Sequence, residues 1–413
     1  MGPSSTAGAL PRQPSAIPAP ARPSRPGPAT PSALATDAVV AGVYLAWLAL
    51  TLVVVLALAG GAAPHQSVGQ NLSRLVNSWD GAWYRSIAAS GYQWNGDPAV
   101  QQNVNFLPGY PLAVRAVHAL GLGSYTAAEV LVASACQLAS LLVLARLFRA
   151  SGAEERQVRW AAALAAVYPA ALFSLRAYAT SMCALAVAAS VLAFVRGRRG
   201  WAFAVAGLAS AVEPTCWVLP LALAWAEMRS GPRGPGWLGR LGLRLAAGYW
   251  GLAAYCAYLW ARFGSPAIKF EDLRSWVGHT PLRTMLHHLV TLSFVPGTVA
   301  NWVGRGGHAY LADLLDVVFL LALAGVVLWL ASGEHGLETT LAGLGGLLVA
   351  VQAAQENLPV SVIRLSAPFW MVLPMHPRVR AALGRLRWLP VAGAFVAVGL
   401  LWCSWWAQLW WTN

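Results

Sequence analysis

Charge is what this sequence has least of. Only 10% of its 413 residues are Asp, Glu, Lys or Arg, against about 25% in soluble domains. So few charges cannot cover a water-exposed surface, and 58% of the chain is hydrophobic. Lipid is therefore the expected solvent for most of it. Acidic residues are the scarcer sign, 15 against 28 basic ones, for a net charge of +13. That balance does not make a nucleic-acid binder. The arginines stand in short runs between apolar stretches rather than on one basic face, as charges that set membrane topology do. Cysteine is also sparse. Cys136, Cys183, Cys216, Cys256 and Cys403 lie in apolar stretches with no CxxC or Cys/His spacing, so they read as small buried hydrophobes, without a disulfide framework or a zinc site.

Residues 1–36 are rich in Pro, Ala and Ser and carry Arg12, Arg22 and Arg25. Such a segment cannot bury enough apolar surface to order itself, and it reads as a disordered cytoplasmic tail. It also lacks the short apolar core of a signal peptide, so the first apolar stretch is expected to be retained. A membrane span needs about 20 apolar residues. Candidates are 38–60, 127–148, 158–173, 178–195, 242–262, 309–331, 339–357, 360–375 and 390–411. The expected fold of 37–413 is thus an all-α polytopic membrane domain with about nine spans plus short re-entrant or interfacial helices.

The basic tail goes inside, so the loop 61–126 falls outside. Arg146, Arg149, Arg156 and Arg159 fall inside, as do Arg196, Arg198 and Arg199. Arg229, Arg233, Arg240 and Arg244 look cytoplasmic too, yet only residues 201–226 separate the last two clusters. A broken hairpin turning near Glu213-Pro214 resolves this, because Pro removes a helix hydrogen bond. Residues 287–303 are read as re-entrant or interfacial, which keeps Arg378, Arg380, Arg385 and Arg387 inside and makes 263–308 a second external region. Trp402, Trp405, Trp406, Trp410 and Trp411 then form an interfacial aromatic belt on the outer side. This topology gathers Asp80, Arg85, Asn105, Arg176, Tyr178, Lys269, Glu271, Asp272, Trp276 and Arg364 at one face.

The first external loop contains "SWDGAWYRSIAASGYQWNGDP" and then "NVNFLPGYPLAVRAVHAL". Trp79, Trp83, Tyr84, Tyr92 and Trp94 surround the carboxylates Asp80 and Asp97. Aromatic faces stack on the CH faces of sugars, and a carboxylate beside them can accept a proton from a hydroxyl. If the segment is helical, Asp80, Trp83 and Tyr84 share a face. The same residues also describe an interfacial helix anchored by aromatics with Asp80 at its N-terminus. The Pro- and Gly-containing "NFLPGYP" reads as a rigid turn leading back to the membrane.

"WDGAWYRSIAASGY" followed by "NFLPGYPLAVR" resembles the signature of the PIG-V family of membrane mannosyltransferases, the group containing glycosylphosphatidylinositol mannosyltransferase II and bacterial relatives. That family has a Trp-Asp-x-x-x-Tyr segment followed by a Phe-x-Pro-x-x-Pro segment. Further likenesses follow in order. "YPAALFSLRAYATSM" resembles a Tyr-Ser-Glu-Ser segment, "GLASAVEPTCWVLP" a Thr-Arg-Pro-x-Gly segment, "YLWARFGSPAIKFEDLRSWVG" a Phe-Gly-Asp-Pro loop followed by Trp, and "SVIRLSAPFW" a Ser-x-x-Arg-Tyr segment. The resemblance covers most of 70–375 and implies a GT-C-type fold. It also implies a polyprenyl-phosphate sugar donor, an active site facing away from the cytoplasm, and no cofactor. Asp80 would be the catalytic base, deprotonating an acceptor hydroxyl. Arg364 would meet the donor phosphate, where a planar guanidinium binds two oxygens at once. Trp79, Trp83, Tyr84, Arg85, Asn105, Tyr178, Glu213 and Lys269 complete the candidate substrate-binding set, although Arg85 and Lys269 equally fit ordinary interfacial charges.

Two positions depart from the pattern. Thr180 stands where the family has an acid, and Glu213 stands where it has an arginine. Either the two changes compensate or the donor site is degenerate. An intramembrane carboxylate is in any case a functional candidate. The leading expectation is a membrane glycosyltransferase that moves a sugar, mannose by resemblance, to a glycan, glycolipid or protein acceptor. The alternatives are a non-catalytic lipid-linked-sugar binder or complex subunit and, with no repeated halves visible to favour it, a transporter. High Ala, Gly and Arg usage suggests a GC-rich bacterial genome and a plasma-membrane location. No metal-ligand cluster is visible, though one acid with a substrate phosphate is enough to hold an ion.

Overall fold

A computed structural model describes residues 31–62, 67, 69–71, 79–175, 177–230, 234–277, 280–293, 295–296, 298–299, 311–333, 336–356, 361–385 and 388–411. Most of the expected tail, Arg176 and residues 294, 297 and 300–303 of the expected re-entrant segment lie outside these residues, as do the side chains of the C-terminal tryptophans.

The described residues are helical and contain no strand. In chain order the helices are α1 (Pro31–Ala62), α2 (Asp80–Ser90), α3 (Gly109–Ala119), α4 (Tyr125–Ala150), α5 (Glu155–Ala166), α6 (Thr180–Val195), α7 (Arg199–Ala209), α8 (Val218–Ser230) and α9 (Trp237–Ala247). They continue as α10 (Trp250–Phe263), α11 (Ile268–Val277), α12 (Leu282–Thr291), α13 (Leu311–Ala331), α14 (Leu337–Glu356), α15 (Val362–Trp370), α16 (Pro377–Arg385) and α17 (Trp388–Trp411). By length and composition, four helices among the described residues can cross a membrane: Pro31–Leu58, Tyr125–Ala150, Leu314–Ala331 and Leu337–Gln355. The chain is thus an α-helical membrane protein. The pair α16 and α17, bent by 99°, is together apolar enough for a fifth crossing.

The other expected spans are shorter or interrupted, for identifiable reasons. The stretch 158–173 ends its α-helix at Ala166 and continues as a tighter 3-10 segment, Pro169–Ser174. The stretch 242–262 is divided between α9 and α10 at Gly248, where a Cβ would lie 2.6 Å from Pro220. Only glycine allows that approach of the backbone to α8. The stretch 360–375 is α15, with Pro368 inside it, followed by the 3-10 segment Leu373–Met375. α6 is a 16-residue apolar helix. At 201–226 the expected break is present. α7 stops at Ala209, a 3-10 segment spans Pro214–Trp217, and α8 begins at Val218 and packs on α7.

The expected tail boundary at residue 36 needs correction, because α1 begins at Pro31. Proline suits a helix's first turn, where its missing N–H costs nothing. The first turns of α1 are also tied down. Arg149 at the end of α4 pairs with Asp37 at 2.8 Å and with Glu155 of α5 at 2.7 Å. The expectation that the cysteines are only small hydrophobes also needs correction, since Cys183 of α6 and Cys216 of the 3-10 segment form a disulfide. They are 33 residues apart in the chain, and no local spacing announces such a pair. The main core lies where α4 packs on α6 and α6 on α7. Alanines at 184, 186 and 188, all buried, allow the close approach. α15 packs against α6 and α14, which brings the C-terminal part of the chain to the start of α6.

Candidate active site

Three segments meet through one ion pair. Arg364, in the first turn of α15, donates from Nη1 to Asp80 Oδ2 at 2.9 Å across 284 residues of sequence. Both side chains are withdrawn from solvent, at 11% and 24% exposure. Asp80 is the first residue of α2, so the helix dipole also favours its charge. It is not a cap. Trp79 occupies the N-cap position with no side-chain cap bond, and the Asp80 carboxylate is turned to Arg364 instead.

The Arg364 guanidinium lies over the ring of Tyr178 at 4.6 Å and near that of Phe173 at 5.5 Å. A desolvated cation over an aromatic face gains about 2 kcal/mol. Tyr84, on the same helix as Asp80, is buried and interacts electrostatically with Asp80, Glu213, Arg364 and Tyr178. Burial first, and then the charges of Asp80 and Glu213, hold its phenol well above the ordinary value, so it is a neutral hydroxyl. The backbone around this cluster is under strain. Trp79, Ala177 and Ser361 adopt φ values of 54°, 58° and 58°. Each lies next to or near a site residue: Asp80, Tyr178 and Arg364. Non-glycine residues in that region cost energy and gather at functional sites.

Glu213 belongs to the same cluster. It is buried at the break between α7 and the Pro214–Trp217 segment, and its charge interacts with those of Arg364 and Asp80. The "NFLPGYP" turn holds this break in place. Gly109 donates its N–H to Ala211 O at 2.7 Å. A Cβ at Gly109 would lie 2.8 Å from both Ala211 O and Val212 Cγ2. This turn thus rests directly on the backbone beside Glu213. The Cys183–Cys216 bond ties the same break to α6, three residues beyond Thr180. The two positions that depart from the family pattern are therefore on covalently linked neighbouring segments. Glu213 Oε2, Arg364 Nε and Thr180 Oγ1 are buried and have no hydrogen-bond partner among the described residues.

Outside the ion pair stands an aromatic wall. The Trp83 ring lies 6.0 Å from Phe106 and 5.4 Å from Trp276, and Tyr84 packs edge-on to Phe106 and Tyr110. Tyr92 donates to Phe106 O at 2.8 Å. Trp79 is exposed at the rim.

Lys269 and Asn105 meet each other rather than the ion pair. The buried ammonium donates to Asn105 O and, at 3.2 Å, to Asn105 Oδ1. α11 is not among the helices long and apolar enough to cross a membrane. Burial pushes Lys269 down to about 8, with Asp272 opposing. Burial likewise raises Asp272, against hydrogen bonds from Trp276 and Ser275. Lys269 is thus a fastener between α11 and the first loop, not a phosphate ligand beside Arg364. Arg85 also points elsewhere. It donates to Thr126 Oγ1 at 3.4 Å and faces Glu129 of α4. Asp97 is exposed, and its Oδ1 accepts from Ala99 N in a local turn, so it is not the second carboxylate of the site. That place is taken by Glu213.

Sequence reasoning missed Phe106, Phe173, Glu129 and Asp316. Asp316 Oδ1 accepts the Ile363 N–H at 2.8 Å, and Tyr168 donates to Ile363 O at 2.8 Å. Both fix the first turn of α15 and hence Arg364. An acidic residue within the apolar run 309–331 was the available signal for Asp316. Among the described residues no three His, Cys, Asp or Glu side chains converge as metal ligands would. Compared with models of protein families, with curated proteins and with solved structures, the chain matches none.

Proposed function

We propose that this protein is a membrane glycosyltransferase. It transfers a sugar, with mannose implied by the sequence resemblance, from a polyprenyl phosphate to an acceptor hydroxyl on the non-cytoplasmic face. In this reading it spans the plasma membrane about nine times in a GT-C-type arrangement. The observation that carries the reading is the Asp80–Arg364 pair, bounded by Tyr84, Tyr178 and Glu213. A carboxylate and a guanidinium in contact, in a recess of aromatic side chains, are the two groups that the transfer requires. Before substrate binds, the guanidinium holds the carboxylate. A donor phosphate competes for Arg364 and binds it through two oxygens. Asp80 is then free to accept the proton of the acceptor hydroxyl. The hydroxyl oxygen forms its bond to the anomeric carbon while the anomeric carbon–oxygen bond breaks, and the polyprenyl phosphate leaves with the bonding electron pair.

The test uses purified protein, polyprenyl-phosphate mannose and a panel of acceptors. Positioned general bases contribute about 10²–10⁴ in rate. Asp80→Asn is expected to lower turnover by that factor, and undiminished turnover sinks the mechanism.

A second reading, a non-catalytic binder of lipid-linked sugars, draws support from Glu213. Two carboxylates then face one guanidinium, and an entering phosphate meets a net negative site. Sugar transfer by the unmodified protein excludes this reading.

A further inference from the structure

Beside the ion pair, on the same helix, is a cavity that the transfer step does not use. It has a volume of about 610 Å³, within the usual range of small-molecule sites. One wall is α2, through Ala82, Trp83 and Ser86. The facing wall is the loop 93–103. Trp83 is therefore shared, one face of its surroundings being the aromatic wall and the other this cavity.

The lining has a definite chemistry. It holds two indoles, Trp83 and Trp94, and several carboxamides, but no charged side chain among the described residues. Every charge of the candidate active site lies instead in the Asp80–Arg364–Glu213 cluster. An anionic ligand there would find N–H donors but no countercharge to offset its lost solvation. A neutral polyhydroxyl ligand has the opposite balance. Carboxamides offer both a donor and an acceptor to each hydroxyl, and indole faces accept apolar CH groups.

The cavity is also a built one. Asn103 Oδ1 accepts the Gln93 N–H at 2.8 Å, and Gln102 Oε1 accepts the Asn95 N–H at 2.7 Å. These two buried amides are thereby committed to shaping the loop, and so is Asn95 Oδ1, which accepts the Asp97 N–H at 2.8 Å; the exposed Gln93 side chain and the Asn95 amide NH2 remain to meet a ligand. Trp94 is held from behind by the apolar cluster of Val104, Leu107, Tyr255, Leu259 and Ile268. A loop backbone already held in this way needs little further ordering when a sugar binds.

We propose that this cavity binds an uncharged saccharide, the sugar portion of the acceptor adjoining the hydroxyl that receives the new residue. The word acceptor rests on the glycosyltransferase reading. The binding of a neutral sugar does not.

The experiment is saturation-transfer difference NMR on the full-length protein in nanodiscs, with mannobiose and glycerol 1-phosphate each at about 10 mM, where millimolar sites are well occupied. Mannobiose ring protons are expected to saturate, and glycerol 1-phosphate is not. Trp94→Ala is expected to cut the mannobiose signal at least fivefold. Gln93→Ala, an exposed substitution that leaves the packing intact, is expected to halve it or more. Asp80→Asn should leave it unchanged. In the transfer assay, Gln93→Ala is expected to raise KM for the acceptor while leaving KM for the donor and kcat alone. Absence of mannobiose saturation, equal saturation of the phosphate compound, or a signal indifferent to Gln93→Ala and Trp94→Ala overturns the proposal. If mannobiose binds as described and no transfer is found with any donor, the cavity assignment stands and the enzymatic reading fails. If transfer is found without mannobiose saturation, the reverse holds.

Discussion

Lys269 is the only lysine in the chain, and it is buried against Asn105 rather than exposed at an interface. Its titration makes a measurable prediction. Folding lowers it from 10.5 to about 8, so between those values the unfolded chain holds a proton that the folded chain does not. Stability therefore rises with pH across that window and is flat below it. Thermal melting of the purified protein between pH 7 and 10.5 should show this rise, and Lys269→Met should remove it. Single residues were partly legible in advance. Asp80, Tyr178, Glu213 and Arg364 are spread from position 80 to position 364, yet charge-based topology puts Asp80, Tyr178 and Arg364 on one side, and Glu213 marks its own helix break. Of the two readings open for Lys269 and Arg85, the structure places neither beside the Asp80–Arg364 pair, because residue type and side of the membrane do not reveal a partner. The carbonyl of Asn105 and the hydroxyl of Thr126 are what occupy them.

Among the elements, the contact between the first loop and the α7–α8 break does most to shape the site. Gly109→Ala forces a Cβ into Ala211 O and Val212. Overpacking of this kind costs about 1–3 kcal/mol, and here it also pushes the loop away from Glu213. A lowered melting temperature together with a loss of sugar transfer is the expected result. A full-rate, fully stable Gly109→Ala protein would show that the loop is not seated there. Helix existence was readable from apolar length, and helix continuity was not. The interruptions at Gly248 and Pro368 and in the 3-10 segments depend on what each stretch packs against. The expected break at Glu213-Pro214 was found because proline announces itself locally. The Cys183–Cys216 link was invisible because disulfide geometry is a matter of three-dimensional proximity.

Taken as a whole, the described residues form a bundle of largely apolar helices, and in the proposed topology its polar and aromatic loops lie on the non-cytoplasmic side. Its orientation is testable without any substrate. Asp97 lies in an exposed turn of the first loop, and Arg156 lies at the start of α5 on the opposite side in the proposed topology. In intact cells, Asp97→Cys should react with a membrane-impermeant maleimide, and Arg156→Cys should react only after lysis. The reverse pattern would invert the topology. The strained residues beside the site carry a consequence at this scale too. Ser361, Trp79 and Ala177 hold left-handed backbone conformations that side chains resist, at about 1–2 kcal/mol each. Part of the stability of the fold is thus given up to present Asp80, Tyr178 and Arg364. Relaxing it should show as a trade between endurance and turnover. Ser361→Gly is expected to survive heating a few degrees longer, by roughly 1 kcal/mol, and to work more slowly, because Arg364 is no longer held to one pose. The sturdiest version of this protein would then not be its fastest.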